Sequence, residues 1–223
     1  MNAPPGAHQE AHLPLPRFAQ LPPERQAQLL TAATAEFVEH GPDRASLNRI
    51  LGAVNLSKGV FYYYFRDKAD LYATVLTASL GDLDDLLPSV AHIQDAAALW
   101  AHLQDTMTAL LNKLAQHPHA VALLRTLYTS ESGAMVLPSL LSPFTKWIGH
   151  TLTVGQRLGA VRTDVPIDLL TEMTLAAGTA IDRWFSRNLD ALSHSDVQQL
   201  TIATMSMLRG MLAPPQPVNS PER

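Results

Sequence analysis

Residues 45–71 read ASLNRILGAVNLSKGVFYYYFRDKADL, and this stretch contains the signals of two short helices joined by a tight turn. Four apolar residues have the i, i+3, i+4, i+7 spacing of one buried helix face: Leu47, Ile50, Leu51 and Val54. The next residue is Asn55. Apart from Gly, Asn is the residue type that best tolerates the left-handed backbone conformation that such a turn needs. The sequence therefore predicts a helix, a turn and a second helix.

The second helix has two faces of different character. Phe61 and Phe65 are spaced i, i+4 and are expected to point inward, whereas the opposite face carries Lys58, Gly59, Tyr62, Tyr63 and Tyr64. This aromatic run could be core packing, but at about 100° per residue one helix face cannot bury four consecutive aromatic rings. At least two of the rings must be exposed. Ser46 and Ser57 stand where hydroxyls can cap the two helices.

The charge distribution favours a nucleic-acid partner for this region. The net charge of −4 argues against such a partner for the chain as a whole. However, residues 44–68 carry five Lys/Arg and one acid, while residues 69–223 carry nine Lys/Arg and fourteen Asp/Glu. Positive charge is thus concentrated around the two predicted helices, as in a protein that binds DNA there.

The segment resembles the N-terminal domain of the TetR/AcrR family of bacterial one-component transcriptional regulators. The family pattern S-x-G-x-x-Y-x-x-F-x-x-K-x-x-L is matched by Ser57, Gly59, Tyr62, Phe65, Lys68 and Leu71. The resemblance extends upstream through a first helix at about residues 22–39, closed by Gly41 and Pro42, and covers about the first third of the chain. One departure is that Val54 and Asn55 stand where the family usually has Ala-Gly.

The resemblance implies a set of DNA contacts. Phosphate contacts are implied for Ser46, Ser57, Tyr62 and Lys68, and Gly59 would let the helix approach the duplex closely. Base reading would fall to Asn48, Lys58, Val60, Tyr63 and Tyr64. Arg49 could equally bind phosphate or face solvent.

Helical periodicity nearly throughout predicts an all-α fold. We expect a disordered N-terminal tail at 1–20, a helix-turn-helix DNA-binding domain at 21–68, a helical ligand-binding and dimerisation domain at 69–212, and a disordered C-terminal tail at 213–223. A helix capped by Asp67 should run toward Leu87 and stop at Pro88. Further helices are expected at about residues 96–116, 118–130, 138–158, 167–187 and 196–212, the last with Ser195 as cap.

The two last helices carry apolar stripes with small residues, such as Ala177, Gly178 and Ile181. In the family these helices form a four-helix dimer interface, whereas the alternative is that both stripes face the chain's own core. The family also surrounds an effector pocket with helices. Here those helices carry apolar residues that could instead be plain core: Trp100, Leu103, Met107, Leu124, Tyr128, Phe144, Trp147, Met173 and Ala177.

Several other classes of function are disfavoured. The chain has no Cys, no apolar run near the roughly 20 residues that span a bilayer, and no signal-peptide pattern. His117 and His119 flank Pro118 and suggest a helix junction more than a metal site. No paired acid/base or nucleophile pattern supports an enzyme.

The expectation is a cytoplasmic homodimeric repressor without cofactor, which binds a palindromic operator and is released by a small hydrophobic effector. The first alternative is an activator, or a regulator controlled by a protein partner, on the same fold. A small helical enzyme is a second and less favoured alternative.

Overall fold

A computed structural model describes residues 14–81, 87–188 and 191–215 of the chain. Across these ranges the regular secondary structure is helical, without a β-strand, which confirms the predicted all-α fold. The described ranges contain the following α-helices: α1 Pro23–Arg44, α2 Leu47–Ala53, α3 Lys58–Tyr64, α4 Lys68–Leu80, α5 Ala96–Gln116, α6 Pro118–Leu127, α7 Glu131–Arg157, α8 Ile167–Asn188 and α9 His194–Leu212.

The chain divides into two compact units. The first unit comprises Met1–Gly81 and His119–Leu141, and the second comprises Asp82–Pro118 and Ser142–Arg223. This division differs from the expected boundary at residue 68, because α4 and the segment from His119 share the core of α1 to α3.

Tyr72 of α4 shows why the first unit includes α6. Its side chain is fully buried, and its ring packs edge-on against Phe37 at a centroid distance of 5.2 Å. Its hydroxyl donates to the carbonyl oxygen of Leu123 at 3.1 Å and lies 2.8 Å from the hydroxyl of Thr126. Burial raises the pKa of Tyr72 to about 12, so the phenol stays protonated and keeps this hydrogen bond at any ordinary pH.

The segment before α1 differs from the expected disordered tail. Residues 1–13 lie outside the described ranges, but Pro16–Gln20 form a short 3₁₀ turn. Phe18 in this turn is only 6% exposed, and its ring centroid lies 4.9 Å from that of Phe65. The Pro-rich composition concealed one aromatic residue that is enough to fix the turn on the core.

The second unit has its own apolar core. Leu99 of α5 is buried with Val90, Val154 and Ala160, and the capping carboxylate of Asp95 begins that helix. The indole N–H of Trp147 donates to the carbonyl oxygen of Pro88 at 2.9 Å. A further buried cluster joins Leu152 of α7, Leu170 of α8 and Leu212 of α9 with Val161, which lies between α7 and α8.

Several helix ends differ from their expected positions. Helix α4 ends at Leu80 before Gly81 (φ 83°), and residues 82–86 of the longer predicted helix lie outside the described ranges. Helix α7 begins at Glu131 and continues through Pro138, which was expected to start it. Helix α9 is capped by Ser193 rather than Ser195, because Ser193 and Asp196 form a reciprocal capping box.

Candidate nucleic-acid interface

Both helices of the predicted helix-turn-helix have the expected caps. The hydroxyl of Ser46 accepts from the backbone N–H of Arg49 at 3.4 Å, and that of Ser57 accepts from the backbone N–H of Val60 at 3.3 Å. Asn55 has φ 52° and is the non-glycine residue with a positive φ in the described ranges. The caps and the left-handed residue together set the angle between α2 and α3.

Substitutions at Asn55 test this turn. Asn55→Gly should be tolerated, because Gly adopts positive φ without strain, whereas Asn55→Val should cost about 1–2 kcal/mol, because its branched Cβ crowds the backbone. Thermal melting and DNA titration of both variants measure the difference. Equal melting temperatures and affinities for the two variants would contradict the role of the turn.

Helix α3 turns one face inward and one face outward. Phe61 and Phe65 are 1% and 0% exposed, as their spacing predicts. Tyr62 and Tyr63 are 55% and 48% exposed, and the outward face also carries Lys58, Gly59 and Val60. Tyr64 differs from the expectation of an outward ring, because it is half-buried beside Phe18 at a centroid distance of 6.0 Å.

Gly59 has space around it that the chain does not use. A Cβ built at this position would meet only the hydroxyl of Ser57, at 3.9 Å. Packing within the chain therefore does not require glycine here. Glycine is also unfavourable at this position, because a Gly inside a helix lowers helix stability by about 1 kcal/mol relative to Ala. This absence of a side chain suits close approach by another molecule to the outward face of α3.

Two residues of the predicted DNA contacts are engaged inside the chain. The ammonium group of Lys68 donates to the backbone carbonyl oxygens of Asp43 and Ala45, both at 2.9 Å. Burial lowers the pKa of Lys68. Arg49, for which phosphate or solvent was expected, instead forms an ion pair with Glu36 through its Nε and Nη2 atoms. Sequence reasoning missed this pairing because the two residues lie 13 positions apart.

Glu36 links α1 to the start of α2. Its carboxylate is buried, and Oε1 also accepts from the backbone N–H of Ser46 at 2.6 Å. The guanidinium of Arg49, together with this N–H, outweighs the effect of burial and lowers the pKa of Glu36 from 4.5 to about 2. The charged form of Glu36 therefore stabilises the packing of α2 on α1.

Removal of this carboxylate should destabilise the protein. Glu36→Gln should lower the free energy of unfolding by about 1.5–3 kcal/mol, because charged hydrogen bonds are lost at a buried position. The wild-type contribution is present above pH 4.5 and falls as the pH drops toward 2, so the variant should lose less stability than wild type across that window. Chemical denaturation at several pH values measures both effects. Glu39→Gln is the control, since Glu39 is 75% exposed in the same helix, and an equal loss in both variants would contradict the role of Glu36.

Asp43 connects the end of α1 to the amino end of α7. Its carboxylate accepts from the backbone N–H groups of Glu131 at 3.0 Å and of Ser132 at 2.9 Å. These hydrogen bonds, with that to Ser132 first, lower the pKa of Asp43. A residue next to the helix-turn-helix thus caps the helix that continues into the second unit.

The residues expected around an effector pocket fall into two groups. Leu124 and Tyr128 pack against the core of the first unit. In the second unit Trp100 and Leu103 pack against its apolar clusters, Met107, Phe144, Trp147 and Ala177 are half-buried, and Met173 is 41% exposed. Two open depressions of about 350 and 390 Å³ are lined by other residues. Their lining includes Glu39, His40, Arg44 and Arg49 in the first, and Leu192, Asp196, Gln199, Leu200 and Ala203 in the second.

Helix α8 exposes an apolar stripe beside the small residues singled out in the sequence. Ala177, Gly178 and Ile181 are half-buried within the second unit. The residues that lie on the exposed side are Leu169, Met173, Ala176, Ala180 and Trp184. Ile202 and Met207 of α9 are also exposed, at 61% and 74%. A row of exposed apolar side chains on neighbouring helix turns is typical of a protein-protein contact.

Within the described residues, no group of three or more His, Asp or Glu side chains is placed to hold a metal ion. The same ranges contain no helix that is both long and apolar enough to cross a membrane. His117 and His119 are exposed at the junction of α5 and α6.

An exposed helix with a capped amino end, set by a left-handed turn against a second capped helix, is the geometry of a helix-turn-helix DNA-binding protein. Residues 29–75 match the model of the family described as bacterial regulatory proteins, tetR family. The chain is 30% identical to the HTH-type transcriptional repressor SCO4008 of Streptomyces coelicolor, over 73% of this chain and 81% of that protein. It is 26% identical to the HTH-type transcriptional repressor DhaR of a Mycobacterium species, over 83% and 93%.

The fold is also similar to that of a solved structure, the transcriptional regulator FadR from Bacillus subtilis in complex with stearoyl-CoA. The TM-score is 0.61 at 17% identity, with 82% of this chain and 96% of that chain covered. The chain belongs to the TetR family. It is a DNA-binding transcriptional regulator rather than an enzyme.

Proposed function

We propose that the protein is a repressor that binds a palindromic operator as a homodimer and is released by a small hydrophobic effector in the cytoplasm. The single observation that carries the DNA-binding part is the outward face of α3, where exposed tyrosines surround a glycine that the chain's own packing does not require. The names of the two relatives reported above support the sign of regulation, since each is called a repressor.

The DNA contacts follow the surface of α3. Ser46, Ser57 and Tyr62 bind phosphates, while Lys58, Val60 and Tyr63 reach base edges and Asn48 assists from α2. Gly59 brings the helix close to the duplex. Lys68 acts first as the cap of the α1 carboxyl end, and its remaining donor adds positive charge near a phosphate. Arg49 and Tyr64 act within the chain, through Glu36 and Phe18.

The exposed stripe of α8 supports the dimer. A palindromic operator presents two half-sites about 34–36 Å apart, and two copies related by a two-fold axis place one α3 in each. Apolar side chains that are exposed in a single copy, such as Leu169, Met173 and Trp184, would be buried between two copies.

The effector class is a hydrophobic molecule such as a long-chain acyl compound. The expected lining residues are apolar or aromatic, and the FadR structure of similar fold contains stearoyl-CoA. Effector binding among the helices of the second unit would shift the population toward a state in which the two α3 helices no longer match the half-sites. Both half-sites are then lost together.

The test begins with the DNA upstream of the gene, in which footprinting should find an inverted repeat. Lys58→Ala and Tyr62→Phe should each weaken binding to a duplex that carries this repeat, with normal thermal melting. Stearoyl-CoA or palmitate added to the complex should release the protein, with coenzyme A alone as the control. DNA affinity that no acyl compound changes would rule out this effector class. An upstream region without a protected inverted repeat would rule out the operator model.

A further inference from the structure

The 3₁₀ turn Pro16–Gln20 is fixed to the carboxyl end of α3 by three contacts. The backbone N–H of Leu15 donates to the carbonyl oxygen of Tyr64 at 2.8 Å. The buried ring of Phe18 packs against Phe65 at 4.9 Å and against Tyr64 at 6.0 Å, measured between ring centroids. The turn is therefore part of the packed structure around α3 and holds a defined position beside it.

Arg17 precedes the buried Phe18 and, unlike Phe18, faces solvent. Its side chain is exposed, and its guanidinium carbon lies 4.5 Å from the ring centroid of Tyr63. Tyr63 is 48% exposed on the outward face of α3, beside Tyr62 and Val60. The turn thus places the guanidinium of Arg17, which is not part of the helix-turn-helix, on the surface assigned to DNA.

The geometry of the stack suits phosphate binding. A guanidinium that stacks on an aromatic ring uses its flat face, and its N–H donors lie in the plane and point away to the sides. Arg matches phosphate oxygens in a bidentate arrangement. From Ile50 to Phe65 the sequence contains one cation, Lys58, so Arg17 would double the positive charge on this surface.

We propose that Arg17 is an additional DNA-backbone contact, which donates to a phosphate beside α3 while Tyr63 holds its guanidinium in place. The proposal rests on the assignment of the outward face of α3 to DNA. It extends the interface to Arg17, which lies outside the residues of the family pattern and 28 positions before the helix-turn-helix segment at 45–71.

A residue that only packs on Tyr63 can be distinguished from a phosphate contact by salt. Loss of a phosphate contact reduces the slope of log affinity against log salt by about 0.9 for each chain bound to duplex DNA. Loss of packing alone weakens binding by a similar factor at every salt concentration and leaves the slope unchanged.

The experiment uses the full chain and a mixed-sequence duplex, which needs no knowledge of the operator. Affinity is measured by fluorescence anisotropy between about 50 and 200 mM salt for wild type, Arg17→Ala, Arg17→Lys and Arg25→Ala. Arg25 is the matched control, because it is exposed on α1 and hydrogen-bonds to Gln28. Lys58→Ala is included as a cation on α3 itself.

We expect Arg17→Ala to bind about three- to tenfold more weakly at low salt with a reduced slope, Arg17→Lys to recover most of the slope, and Arg25→Ala to behave as wild type. An unchanged slope in Arg17→Ala with a reduced slope in Lys58→Ala would overturn the proposal and leave the DNA-binding face intact. Unchanged slopes in both variants would instead show that the outward face of α3 does not carry the DNA contact.

Discussion

Ala180→Glu should convert the protein to a monomer and lower its operator affinity by about 10²–10⁴-fold. Ala180 lies on the exposed side of α8 between Ala176 and Trp184. In the proposed dimer, a carboxylate there would be buried without a partner, and the two-fold axis applies the cost twice. A monomer binds each half-site separately, so it loses the high effective concentration that linkage gives to the second half-site.

Sedimentation and operator titration measure the two consequences. The control is Ala101→Glu, the same change at an exposed alanine of α5, which should leave both mass and affinity unchanged. Circular dichroism should show equal helix content in the two variants, because each position is exposed in the single chain. A folded Ala180→Glu dimer with full operator affinity would place the interface on a different surface.

Gly59→Ala should stabilise the free protein and weaken DNA binding at the same time. A helical Ala is favoured over Gly by about 1 kcal/mol, and the added Cβ would meet only the hydroxyl of Ser57 at 3.9 Å. In the complex the same methyl group would stand between α3 and the duplex, and we expect binding to weaken by about tenfold or more, which is about 1.4 kcal/mol.

The expected gain in stability and loss of DNA affinity make this variant informative, because a misfolded protein would lose both stability and affinity. Gly52→Ala is the matched control, because Gly52 is an exposed helical glycine of α2 with no atom within 4 Å of an added Cβ. It should gain stability without the loss of affinity. Tight binding by Gly59→Ala would show that the glycine is not needed for close approach.

The sequence predicted the local features of the interface and missed those that depend on distant residues. The caps at Ser46 and Ser57, the left-handed Asn55 and the inward Phe61 and Phe65 each follow from neighbours within four positions. Periodicity reads such spacings directly, so the helix-turn-helix and the all-α fold were both accessible.

The missed features join segments that periodicity cannot connect. The Arg49 side chain points to Glu36, and the ammonium of Lys68 reaches carbonyls 23 and 25 positions earlier. A lone Phe18 in a Pro-rich segment gives no periodic signal, although its burial fixes the 3₁₀ turn. The assignment of Arg49 and Lys68 to DNA therefore depends on their partners inside the chain.

The buried hydrogen bond from Tyr72 to the carbonyl oxygen of Leu123 has a consequence for the construction of chimaeric regulators. A hybrid that joins residues 1–81 to a foreign sensor domain would separate Tyr72 from its acceptor and uncover the side chains that pack under α6. The transferable module is discontinuous, and a functional graft has to bring residues 119–141 with the amino-terminal segment. Recombination with one breakpoint after α4 is thus expected to give insoluble hybrids, whereas an exchange that keeps both segments together should preserve the core.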